Sequence, residues 1–150
     1  MEKVAKINIE GAKVLHESKF SKHIYDAKTE TLCSDWFEET KNMTRNDFEI
    51  EMKAWLKATQ DCGKFTYLLD RCVDFIYPIS PQEQIWMANL LNKSWIELGL
   101  KKYAHLIPDE FISHLFVEQT FEEFFNMNLP HQYPMKDFSS VEEALHWLHS

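Results

Sequence analysis

The chain has 150 residues, 45% of them apolar, 14% aromatic and only three glycines, and carries a formal charge of -8 from 24 acidic and 16 basic side chains. That length normally makes one domain with a core of its own, and the composition is not that of a disordered chain. The negative charge opposes sequence-independent nucleic-acid binding, and no apolar run reaches the ~18 residues of a membrane span.

Residues 1–18 show weak alternation (Val4, Ile7, Ile9, Val14, Leu15) and read as a loosely attached arm with room for a short strand. The start has no apolar run of signal-peptide type, so a cytoplasmic location is expected. Phe20, Ile24 and Tyr25, five polar residues, then 32–37 predict an antiparallel hairpin. Thr44 caps the clearest helix, with Asp47 three residues on and Phe48, Met52, Trp55, Leu56 and Thr59 at helical spacing, and Gly63 stops it. The run 65–69 predicts a strand covered on both faces, ending in the polar pair Asp70-Arg71. Ser80 as cap, Pro81 at the first helical position and Glu83 as the answering carboxylate open a second helix, which Gly99 ends. A buried strand is expected at 103–107. A third helix opens at Pro108-Asp109-Glu110 and carries Phe111, Phe116, Phe121, Phe124 and Phe125. A weaker strand at about 132–138 and a last helix behind Ser140 and Glu143 complete the chain. The order β-β-α-β-α-β-α-β-α predicts a single-domain α/β fold from residue 19 to 150, with a mixed sheet whose later strands are parallel.

Several spaced pieces resemble a family of small bacterial STAS-like proteins, domains related in fold to anti-sigma-factor antagonists. They are Trp36, Met43-Thr44, Phe48 and Met52; Asp70-Arg71; Pro78-x-Ser80-Pro81-x-x-Gln84-x-Trp86; the segment 98–104; and the ending Ser140-Val141-Glu142-Glu143-Ala144-Leu145-x-Trp147-Leu148. The resemblance covers residues 20–148 and implies a STAS-like mixed sheet with helices packed on it. It also implies a regulatory role. Better-studied relatives carry a phosphorylatable serine in an Asp-Ser-Gly-like motif, and some relatives are proposed to hold small apolar ligands. Here the matching stretch is Tyr77-Pro78-Ile79-Ser80-Pro81, without the Asp-Ser pair or the glycine, so Ser80 reads as a helix cap rather than a phosphorylation site.

In an open α/β sheet, ligands lie beyond the carboxyl ends of the parallel strands. That rule selects Asp70, Arg71, Asp74, Phe75, Tyr77 and Ser80 in one loop and Phe111 after the next strand as candidate ligand- or partner-binding residues. Arg71 either orients a polar head group or ties the loop down by pairing with Asp70 or Asp74. The phenylalanines either line a pocket or complete the core. Cys33, Cys62 and Cys72 are odd in number and widely spaced, as expected of reduced thiols, with Cys72 read as buried filler. His146 and His149 lie at i and i+3 but without a further ligand at suitable spacing, and read as solvated surface; His105 interrupts an apolar strand and reads as a satisfied core or sheet-edge histidine. There is no Gly-rich phosphate loop, nucleophile elbow or His-Glu-x-x-His helix. The expectation is therefore a non-enzymatic regulatory or protein-interaction module with no cofactor and no metal. The alternative is a carrier or sensor of a small apolar or amphipathic ligand at the carboxyl end of the sheet. Self-association through the opening hairpin would make it a homodimer.

Overall fold

A computed structural model of the chain describes residues 12–108 and 133–150. Six strands, β1 (Ala12–Glu17), β2 (Ser21–Asp26), β3 (Thr31–Trp36), β4 (Tyr67–Arg71), β5 (Lys102–Leu106) and β6 (Met135–Phe138), form one sheet in chain order. The first three are antiparallel, and β3 to β6 run parallel. Among the described residues three α-helices accompany them: α1 (Arg45–Asp61), α2 (Pro81–Leu98) and α3 (Val141–Leu148). The fold is thus α/β with a mixed sheet in a single domain. Its element order differs from the predicted one by a strand, because Ala12–Glu17 pairs with β2 as an edge strand with a register shift between Val14 and His16. The predicted third helix lies outside the described residues.

Local chemistry explains where the elements begin and end. Thr44 Oγ1 accepts from Asp47 N–H while the Asp47 carboxylate accepts from Thr44 N–H, closing a capping box, and Ser80 and Glu83 do the same for α2. At α3 only half of that arrangement forms: Ser140 Oγ accepts from Glu143 N–H and donates to Glu142. Helix α2 ends on Gly99 at φ 93°, a backbone angle that side chains disfavour. The strand expected at 65–69 sits two residues later. Thr66 and Tyr67 N–H both reach back to the Glu30 carbonyl, and the ladder then runs through Asp70 and Arg71 instead of stopping there. The fifth strand likewise begins one residue earlier than predicted, at Lys102.

Pleating sends alternate side chains to opposite faces. On one face Tyr25, Leu32, Trp36, Leu68 and Tyr103 meet Phe48, Met52 and Trp55 of α1 and Met87, Leu91 and Trp95 of α2. On the other, Cys33, Leu69, Ala104, Leu106 and Phe138 meet Val141, Ala144 and Leu148 of α3. Both long crossover helices therefore cover one face, while α3 returns across the other. Among the described residues no helix is long and apolar enough to cross a membrane.

Leu68 is fully buried between the sheet and both long helices, so Leu68→Ala should cost ~2–5 kcal/mol in denaturant unfolding through the cavity it leaves. Space is not the limit at Gly99, since a Cβ there would meet nothing within 4 Å; Gly99→Ala should still cost roughly 1–2 kcal/mol from backbone strain alone.

Candidate functional site

One residue from each strand lies at the same level of the sheet, on the face under α1 and α2. The cross-strand register pairs His16 with His23, His23 with Ser34, Ser34 with Asp70, Asp70 with His105, and His105 with Asp137. Ser34, Asp70 and His105 each occupy the fourth position of their strand, near the carboxyl ends of the parallel strands. A row of six polar side chains thus crosses the whole sheet beneath an apolar layer, and His23, Ser34, Asp70 and His105 are buried.

Buried polar groups need partners, and the aromatic layer supplies them to Ser34 and Asp70, while His16 Nε2 and His23 Nε2 make no hydrogen bond among the described residues. Trp55 Nε1 donates to Ser34 Oγ at 2.7 Å, and His23 Nδ1 lies 2.9 Å from the same oxygen. Asp70 accepts from Trp36 Nε1 at 2.7 Å, from the Tyr103 hydroxyl and from Cys72 Sγ at 3.3 Å. His105 Nδ1 lies 3.2 Å from Asp137 Oδ1. The His23 ring stacks with Trp55 and with His16 and meets Trp36 edge-on. At the near end of the row Glu51, buried on α1, accepts from Ser18 and Ser21 hydroxyls and lies 3.7 Å from His16 Nε2.

Burial and the Asp70 carboxylate push the Tyr103 hydroxyl and the Cys72 thiol well above their usual ranges, so both stay protonated as donors. Burial, helped by His16, lowers the His23 pKa to about 3, so its ring is neutral. Desolvation outweighs the Arg71 charge at Asp35 and raises that carboxyl.

The structure separates the residues expected to form a site. Asp70 and Arg71 are neighbours in β4 and therefore point to opposite faces. Arg71 pairs with Asp35 on β3 at 3.2 Å, not with Asp70 or Asp74. Phe75 packs edge-on against Trp36, and Tyr77 stacks on Phe48 and donates to Glu83, so both rings of that loop join the core. Burial and the Glu83 bond push the Tyr77 hydroxyl up to about 12. Ser80 serves as the α2 cap, Asp74 is exposed, and Phe111 lies outside the described residues. Cys72 is half-buried at the head of the loop, and its thiol donates to Asp70 Oδ1. His149 is exposed, in keeping with its reading as solvated surface, while its Nε2 lies 2.8 Å from Thr31 Oγ1 and its ring meets Tyr67 edge-on. It lines a shallow depression with Glu142, Leu145, His146 and Ser150 at the opposite end of the sheet.

Sequence reading missed the row as a unit, since its members are dispersed from His16 to Asp137 and only the strand register aligns them. The one available signal was that each interrupts a β-rich stretch, as His105 visibly does. Compared with family models, curated proteins and solved structures, the chain matches none.

The neutral His23 has a consequence for stability. In the unfolded chain this histidine takes up a proton near pH 6.5, but in the fold not until about pH 3. Stability is therefore lost as pH falls below 6.5, by up to ~1.4 kcal/mol per pH unit. Denaturant unfolding of His23→Gln between pH 6.5 and 4.5 should show a flatter decline than the parent, and equal slopes would contradict the assignment.

Proposed function

We propose that the protein is a non-enzymatic regulatory or protein-interaction module of the STAS-like kind, and that it docks its partner through the loop joining β4 to α2. The observation carrying this reading is a contrast within that loop. Its inner side is fastened: Ile76 N–H donates to Thr40 Oγ1 at 2.9 Å, Phe75 packs on Trp36 and Tyr77 on Phe48. Its outer side presents Val73 and Ile76 at 44% and 49% exposure. Apolar side chains held in water on a firmly anchored loop lose little conformational freedom on binding, which favours use as contact anchors. The end of the sheet also agrees with the general rule for open α/β folds.

The alternative, a carrier or sensor of a small apolar or amphipathic ligand at the same end, has less support. Two of the aromatics that motivated it, Phe75 and Tyr77, are engaged by Trp36, Phe48 and Glu83, while the five phenylalanines from Phe111 to Phe125 lie outside the described residues. Self-association would use the exposed Val14 on the edge strand β1, but the anchored loop offers the more preorganised surface.

The docking reading is tested by affinity purification of the tagged full chain from its native cells. A stoichiometric protein partner should be recovered with the parent and with an Ile50→Asp control, whose residue is 54% exposed on α1, and lost with Val73→Asp/Ile76→Asp. Recovery of no partner, or of one insensitive to the loop substitutions, would overturn the proposal.

A further inference from the structure

We propose that Asp70, Cys72 and His105 form a binding site for one divalent transition-metal ion, zinc by the chemistry of the donors. The site is independent of the docking reading. One oxygen of Asp70, the sulfur of Cys72 and one ring nitrogen of His105 all lie within 4.8 Å of one another. The sulfur is 3.3 Å from Asp70 Oδ1. In a zinc tetrahedron with bonds of ~2.3 Å to sulfur and ~2.0 Å to oxygen, that edge is about 3.5 Å, so this pair already stands at coordinating separation.

Charge points the same way. Asp70 is buried, and among the described residues no lysine, arginine or histidine stands within ion-pair distance of it; Arg71, its neighbour in sequence, is turned away onto Asp35. Its partners Trp36, Tyr103 and Cys72 are neutral donors. A buried carboxylate served only by neutral groups is costly, and a cation between it and Cys72 would offset that cost. On coordination the Cys72 sulfur exchanges its proton for the metal, the proton passing to solvent. Asp70 and the resulting thiolate then balance the 2+ ion, with neutral His105 as third ligand. A mixed sulfur, nitrogen and oxygen set selects zinc and its neighbours over magnesium or calcium, which prefer oxygen alone.

The surroundings are those of a supported site. Asp137, 3.2 Å from His105 Nδ1, is placed as the carboxylate that fixes the imidazole, while Trp36 and Tyr103 hold the Asp70 carboxylate. Asp70, Cys72 and His105 all lie at the carboxyl ends of β4 and β5, where open α/β sheets receive ligands. Three protein ligands leave a fourth position for water or an added ligand, unlike a closed structural site.

The test uses the full chain stripped with chelator. Zinc is titrated against a chromogenic competitor, and cobalt(II) is added separately to read the thiolate-to-cobalt charge-transfer band. One ion per chain should bind with submicromolar affinity, with that band present. Cys72→Ser, which exchanges only the sulfur for a smaller oxygen, should abolish the band; Asp137→Asn should weaken binding about 10- to 100-fold. A His146→Ala/His149→Ala variant should bind as the parent does. Circular dichroism of the metal-free variants checks that each is folded. Absence of submicromolar binding, a band that survives Cys72→Ser, or binding lost only in the His146/His149 variant would overturn the proposal.

Discussion

The cost of burying a polar row beneath an apolar layer is the constraint on which the rest of this structure depends. His16, His23, Ser34, Asp70, His105 and Asp137 stand side by side across six strands, and burying such groups unsatisfied would cost more than most single contacts return. The side chains above them must therefore be large and apolar yet able to donate. Trp36, Trp55 and Tyr103 meet that requirement, each joining the core through its ring and the row through its N–H or O–H. Trp36, Trp55 and Tyr103 carry this double duty, whereas the phenylalanines of the core, which have no donor, serve it by bulk alone.

The same arrangement couples the core to the carboxyl end of the sheet. Asp70 collects Trp36 from β3, Tyr103 from β5 and Cys72 from the start of the β4–α2 loop. Phe75 and Tyr77 then fasten that loop to Trp36 and Phe48. The proposed docking surface and the proposed metal site are consequently two sides of one short segment. The outer side offers Val73 and Ile76 to solvent, and the inner side begins with the Cys72 sulfur.

Much of the scaffold was legible in the residues because its signals are local. The Thr44 and Ser80 caps, the glycine at the end of α2 and the hairpin from Ser21 to Trp36 each depend on neighbours within a few positions. Strand limits were less legible. The polar pair Asp70-Arg71 looks like the end of a strand, but hydrogen bonds from both neighbouring strands carry the ladder through it. Arg71 found its partner in Asp35, 36 positions earlier, where no local pairing rule would search.

The candidate site was the least legible part. Asp70 was singled out for its place at a strand end, and Cys72 and His105 were noticed separately and assigned to filler and core. By itself the sequence determined the α/β class, the helix starts and the surplus of aromatic side chains, since propensity, capping and hydrophobic spacing act over a few residues. Only the tertiary structure decided which face Asp70 and Arg71 turn to, that six dispersed polar residues form one row, and that Asp70, Cys72 and His105 converge. Those outcomes follow from the register of parallel strands, which is set by helices and loops far longer than the reach of any local signal.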